Sequence, residues 1–191
     1  MRLFVGLDLP QEVIERLTGL IERLRPAAPI AWSPPANLHI TTKFIGHWPD
    51  ERLEEMKAAL TTVTGPPVQV HIGGLGFFPN ARSPRVFWCG VEAPTLADLA
   101  ARTEWATARL GVESEKRPYS PHLTLARIRP RNVDWLFYGK ITDLRRLHEQ
   151  VAALGAADLG SFEARSFFLY LSQMSRGGSV YTKLAEFPLA Q

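Results

Sequence analysis

Leu38-His39-Ile40-Thr41-Thr42-Lys43-Phe44-Ile45-Gly46 and Pro121-His122-Leu123-Thr124-Leu125-Ala126-Arg127 are two versions of one pattern. Each places a hydrophobic residue between a histidine and a threonine. His122 stands 83 residues beyond His39, close to half of the 191-residue chain. Both stretches are rich in β-branched and apolar residues and meet Gly or Pro at one end, which predicts strands. Side chains alternate across a strand, so His39 and Thr41 share one face, as do His122 and Thr124. The opposite faces, Leu38, Ile40, Thr42 and Phe44 on one strand and Leu123 and Leu125 on the other, are expected to meet a core. One His-x-Thr is a weak signal, since chance supplies it in roughly a third of chains of this composition. Two at matching places arise by chance in only about a few per cent.

Outward from these stretches the two halves echo each other. Residues 1–9 read as a strand ending at Pro10, which can open a helix. Gln11 to Leu24 carries apolar residues at 13, 14, 17, 20, 21 and 24, the stripe of an amphipathic helix. Residues 26–36 form a proline-rich loop. Asp50 caps a second helix through about Val63. Val68 to Gly76 and Val86 to Val91 read as strands around the turn-rich segment 78–84. Pro94 to Leu110 is helical, and a long helical stretch runs from Val133 to Leu154, with Gly155 as its stop. Phe162 to Ser172 and Val180 to Phe187 are strands joined by a Gly177-Gly178 turn. Each half thus holds a helix, a strand headed by histidine, a helix and two more strands. This order predicts an α+β fold. It consists of two pseudo-symmetric lobes of antiparallel sheet with flanking helices around a central cleft. Residues 1–191 read as a single bilobal domain.

Composition bounds the function. Hydrophobic residues make up 46% and charged residues 21%, which is globular and not disordered. Mean hydropathy is −0.07. No apolar run approaches the roughly 18–20 residues of a membrane helix, and the first residues lack the plan of a signal peptide. A cytoplasmic protein without membrane association is expected. Cys89 is the only cysteine, so an internal disulfide and a thiolate metal cage are excluded. In its apolar run it reads as a buried, inert thiol. Net charge is +3 and the pI about 9.2. Of 22 basic residues five are Lys and 17 Arg. Arginine's planar fork suits phosphate, although GC-rich codon usage would produce the same bias.

If a pseudo-twofold relates the lobes, both His-x-Thr faces meet across the cleft. Histidine titrates near pH 6.5, so one ring can be neutral while its partner is protonated. Such a pair is a general base and a general acid that need no metal. The threonine hydroxyls can donate to anionic oxygens. His47, His71 and His148 lie in a turn, a strand and a helix, without ligand spacing. No metal and no cofactor are expected.

The two motifs and their surroundings resemble the 2H phosphoesterase superfamily. Within it the chain resembles the RNA 2′,3′-cyclic phosphodiesterases, historically called 2′-5′ RNA ligases. Besides the motifs, the resemblance rests on Phe4-Val5-Gly6-Leu7, Trp32-Ser33-Pro34-Pro35-Ala36-Asn37 and Gly76-Phe77-Phe78-Pro79. It continues through Pro84-Arg85-Val86, Arg117-Pro118-Tyr119-Ser120, Leu169-Tyr170-Leu171-Ser172 and Tyr181 to Leu189. It implies hydrolysis of an RNA 2′,3′-cyclic phosphate to a 2′-phosphate, with His39 as acid and His122 as base. Thr41, Thr124 and Arg127 would hold the phosphate. Strict alternation sets Arg127 opposite His122, so that role requires a bulge or a strand end between them. Arg129 and Arg131 would meet flanking RNA or solvent. The terminal base needs a stacking surface, for which Phe44, Tyr119 and Trp32 are candidates. Thr42 replaces a usual leucine, with a small packing cost expected. Trp135 to Tyr138 is unusually apolar and reads as a helix face on the sheet or as a partner contact. The expected partner is RNA with a cyclic phosphate end, tRNA halves included, and the expected state is a monomer. Alternatives are 2′-5′ ligation of tRNA halves, another small cyclic or 2′-5′ substrate, and a non-catalytic module that binds RNA ends.

Overall fold

Pro10 is the N-cap of the first helix, where its missing N–H costs nothing, and the first strand ends earlier than expected, at Leu7. In the computed structural model, which describes residues 1–128, 144–176 and 178–190, β1 (Arg2–Leu7) leads into α1 (Gln11–Leu24). α1 buries Val13, Leu17, Leu20, Ile21 and Leu24, the predicted stripe. There follow β2 (Ala31–Trp32), a 3-10 turn (Pro35–Asn37), β3 (Ile40–His47), α2 (Leu53–Thr61), β4 (Val68–Phe78) and β5 (Val86–Glu92). The second half holds α3 (Leu96–Ala108), β6 (His122–Arg127), α4 (Arg145–Leu154), β7 (Asp158–Ala164), β8 (Ser166–Ser175) and β9 (Gly178–Pro188).

The strands form two antiparallel sheets, ordered β3-β1-β8-β9 and β2-β6-β5-β4-β7. Neither sheet belongs to one half of the chain. The first takes β3 and β1 from the N-terminal half and β8 and β9 from the C-terminal half. Helices cross over as well. α1 follows β1 but packs against β7 of the other sheet, while α3 follows β5 but packs against β3. Each histidine strand is paired with the strand one crossover helix earlier, β3 with β1 and β6 with β5.

Two expectations are corrected, and a third is tested only in its C-terminal part. The expected single strand 162–172 is two strands, which change sheets at Arg165. No Gly or Pro marks the corner, but the alternation slips there, from buried Ala164 to buried Phe167 and Leu169. The second half therefore has three strands after α4, one more than the half-repeat predicts. The proline-rich segment 26–36 is not all loop, since β2 within it is a two-residue edge piece paired to β6. Of the expected long helix 133–154, Arg145–Leu154 is helical. Residues 129–143 lie outside the described residues, and with them Arg129, Arg131 and Trp135 to Tyr138, as does Gly177 of the expected turn.

The core is one continuous apolar cluster joining both sheets to their helices. It includes Leu3, Val5 and Leu7 of β1, Leu123 and Leu125 of β6, and Phe167 and Leu169 of β8. Among the described residues no helix is long and apolar enough to cross a membrane.

Candidate active site

His39 stands one residue before β3, and His122 is the first residue of β6. The rings are held alike. Each Nδ1 donates to the carbonyl oxygen two residues earlier, Asn37 O at 2.8 Å and Ser120 O at 2.8 Å. A carbonyl can only accept, so Nδ1 carries the proton, and Nε2 is the acceptor of the neutral ring. His39 Nε2 lies 3.0 Å from Thr41 Oγ1, whose hydroxyl donates to it. Aromatic rings back both imidazoles. Phe4 lies 4.6 Å from His39, Tyr181 meets it edge-on at 5.1 Å, and Phe78 meets His122 edge-on at 5.0 Å.

Both strands then break their alternation at the same place. From His39 to Phe44 the side chains run half-buried, buried, half-buried, buried, buried, exposed, and His122 to Arg127 repeats this order. The pairing of β1 with β3 steps from Val5–Lys43 to Gly6–Thr41 and skips Thr42. That of β5 with β6 steps from Phe87–Ala126 to Trp88–Thr124 and skips Leu125. These are β-bulges, which set two successive residues on one side and re-aim the rest of the strand. The bulge in β6 returns Arg127 to the face of His122, against strict alternation. The bulge in β3 does the same for Phe44, which alternation assigns to the core and which is 62% exposed. Lys43 turns inward instead. It is 4% exposed, and its ammonium donates to both Glu104 carboxylate oxygens at 2.9 and 2.7 Å and to Glu113 O at 2.7 Å, using all three donors. Gly6 permits the close approach, since a Cβ there would come within 2.6 Å of Ile40 O.

β3 and β6 approach each other across the two sheets. Tyr119, three residues before His122, donates its hydroxyl to Thr41 O at 2.9 Å. Ser33, six before His39, donates Oγ–H to Thr124 O at 2.7 Å, and its N–H to Leu125 O at 2.8 Å. The three aromatic candidates separate here. Phe44 offers an open ring. The Tyr119 hydroxyl is engaged with β3. Trp32 turns to the core, where it meets Phe87 edge-on at 5.9 Å and Nε1 donates to Ala28 O at 3.2 Å.

A family profile described as LigT like Phosphoesterase matches residues 7–88. The chain is 31% identical to the RNA 2′,3′-cyclic phosphodiesterase of Archaeoglobus fulgidus, over 98% of this chain and 99% of that protein. It is 31% identical to the protein of the same name from Methanothermobacter thermautotrophicus, over 99% of each. The chain belongs to the LigT-like phosphoesterases. Its fold superimposes on TT0787 of Thermus thermophilus with a TM-score of 0.78 at 27% identity, covering 98% of this chain and 97% of that one. E. coli LigT complexed with 3′-AMP matches with a TM-score of 0.74 at 26% identity, over 100% and 98%.

In this phosphoesterase the environment of His39 sets its charge. Burial is the main cause that lowers its pKa, to about 4. The Asn37 carbonyl opposes that shift, the positive charge of Arg127 adds to it, and Asp8 opposes it weakly. His39 is therefore neutral at pH 7 in the free protein. Burial likewise pushes the Cys89 thiol up to about 12, which leaves it inert. Of the other histidines described, His71 Nδ1 lies 3.0 Å from Ser161 Oγ at an exposed position, and His148 packs edge-on against Phe77. Phe4, Asp8 and Tyr181 also neighbour His39, and sequence reasoning does not single them out as site residues. The alternation Phe4, Gly6, Asp8 on the strand paired with β3 is the signal that could have found the first two.

Proposed function

We propose that this LigT-like phosphoesterase hydrolyses the 2′,3′-cyclic phosphate at an RNA end to a 2′-phosphate by metal-independent acid–base catalysis. The observation that carries the reading is the matched pair of imidazoles, each with Nδ1 bound to a backbone carbonyl and Nε2 turned from it, with Thr41 on Nε2 of His39, Arg127 near His39, and Thr124 on the His122 strand. The names of the relatives and the 3′-AMP complex of E. coli LigT support the substrate class. A cyclic phosphate requires a 2′-oxygen, so the substrate is RNA by chemistry.

Water attacks phosphorus in line with the departing O3′. His122 Nε2 takes the proton from water, and His39 Nε2–H gives one to O3′. His39 must be charged before it can act as the acid. Burial, helped by the nearby Arg127 charge, keeps it neutral in the free protein, and the negative charge of a bound phosphate favours the protonated ring. Substrate thus brings the charge that protonates its own catalyst. Arg127 and the threonine hydroxyls stabilise the non-bridging oxygens as charge builds on them. Phe44 supplies the open ring on which the terminal base stacks. The RNA halves left by tRNA cleavage fall within this class. Residues 1–191 act as one catalytic unit and as a cytoplasmic monomer, a reading supported by both histidine strands coming from this one chain.

The test is a 2′,3′-cyclic-phosphate oligonucleotide incubated with enzyme and EDTA, and then mapping of the product phosphate. A 2′-phosphate formed at an undiminished rate is expected. A 3′-phosphate, or loss of turnover restored by a divalent ion, would overturn the mechanism.

A further inference from the structure

We infer that Ser33 and Tyr119 are positioning residues that brace each His-x-Thr strand through the segment leading into the other. The inference rests on the two-histidine reading above. β3 is the outer strand of its sheet, so carbonyls on its far edge have no neighbouring strand to pair with. The neighbour of β6, β2, ends at Trp32. At both edges the donor is a side-chain hydroxyl, and both acceptors are carbonyls of the motif threonines. Tyr119 O–H donates to Thr41 O at 2.9 Å and Ser33 O–H to Thr124 O at 2.7 Å. Thr41 and Thr124 each stand two residues from a catalytic ring. Tyr119 stands three before His122, and Ser33 leads through the 3-10 turn to Asn37, whose carbonyl holds His39 Nδ1. Each brace therefore couples the backbone that carries one imidazole to the backbone that carries the other, across sequence separations of 78 and 91 residues.

The Tyr119 ring is half-buried against the core, and burial raises its hydroxyl pKa, so it remains a donor throughout the working pH range. A phosphate gripped from both strands reacts only when the rings stand at the right separation. A misplacement of about 1 Å costs on the order of 100-fold in rate. The braces set that separation without touching substrate.

The test uses Tyr119→Phe, Ser33→Ala, their double variant and Ser33→Thr. Each single hydroxyl deletion should lower kcat by about 10–100-fold and change KM by less than about threefold. The double variant should lose less than the product, since both open the same seam. Ser33→Thr, which keeps the donor, should recover most of the rate. A second readout is the His39 titration by NMR in the ligand-free protein. His39 faces Arg127 and His122 from β6 and Asp8 from the end of β1, with Tyr170 and Tyr181 beside it. If the seam loosens, water reaches the ring and Arg127 recedes, so the His39 pKa should rise toward its ordinary value. Unchanged kcat with an unchanged His39 titration in both single variants would overturn the brace. So would equal losses in kcat for Ser33→Thr and Ser33→Ala. Full activity of His39→Ala would instead remove the two-histidine reading, and the His39 titration in Tyr119→Phe would still decide the brace.

Discussion

His39 is held neutral in the fold but titrates near 6.5 once the chain unfolds, so it links stability to pH. Its folded pKa is about 4. Between these values the unfolded chain binds the extra proton, so stability falls as pH drops through this window and is fully retained above it. The effect is worth up to roughly 3 kcal/mol. Urea unfolding of the wild type at about pH 7 and about pH 4.5 should show this loss, and His39→Gln should show a smaller one. Equal losses in both proteins would place the acid sensitivity elsewhere. The proposed roles of acid and base separate by leaving group. His39→Ala and His122→Ala should each lose roughly 100–10,000-fold. A substrate whose 3′ leaving atom needs no proton should rescue His39→Ala more than His122→Ala. Rescue of the His122 variant alone would reverse the assignment of acid and base. Both histidines are legible in the sequence because the motif occurs twice, at matching places. The surroundings of His39 are not, since Phe4, Tyr170 and Tyr181 reach it from strands remote in sequence.

At the scale of the strand, one extra residue separates the alternation rule from the structure. Alternation places Thr42 and Phe44 on one face, and it holds for Leu38, Ile40 and Thr42. The bulge then turns Lys43 inward and Phe44 outward. Nothing in the local composition marks it, because a bulge is set by pairing with β1 and β5 and not by the bulged residues alone. The matched bulges give equivalent positions different chemistry, an aromatic ring at Phe44 and a guanidinium at Arg127. Phe44→Ala should raise KM for a cyclic-phosphate oligonucleotide by about 5–100-fold, the size of one base–aromatic stack, with kcat within a few-fold. Unaltered KM would leave the terminal base without this platform. The same bulge leaves Thr42 only 7% exposed, and among the described residues its hydroxyl has no hydrogen-bond partner. Thr42→Val keeps the shape and removes the buried hydroxyl. It should stabilise by about 1 kcal/mol, raising Tm by about 2–4 °C. A lower Tm would show that the hydroxyl is satisfied in solution.

At the scale of the whole molecule, the echo between the halves is legible as an order of elements, while their exchange between sheets is not. Local periodicity identifies a strand but not its neighbour, and the partners of β1 lie on either side of it in space but about 40 and about 165 residues away in sequence. The consequence is mechanical. A chain cut after Ala93 leaves β3-β1 without β8 and β9, and leaves β5-β4 without β6 and β7. Each fragment then exposes both an apolar face and an unpaired strand edge. The fragments 1–93 and 94–191 should each be unfolded or aggregated alone, by circular dichroism and solution scattering. In the intact protein the sheets should not unfold separately, because each is completed by strands from both halves and one apolar cluster spans them. Hydrogen exchange in increasing urea should show the most protected amides of β1 and β5 converging on the same opening free energy. Two distinct values, or a fragment with native-like dispersion, would mean that the walls of the cleft are independent units. The histidine pair would then be held by the local contacts between the two histidine strands and the segments that lead into them.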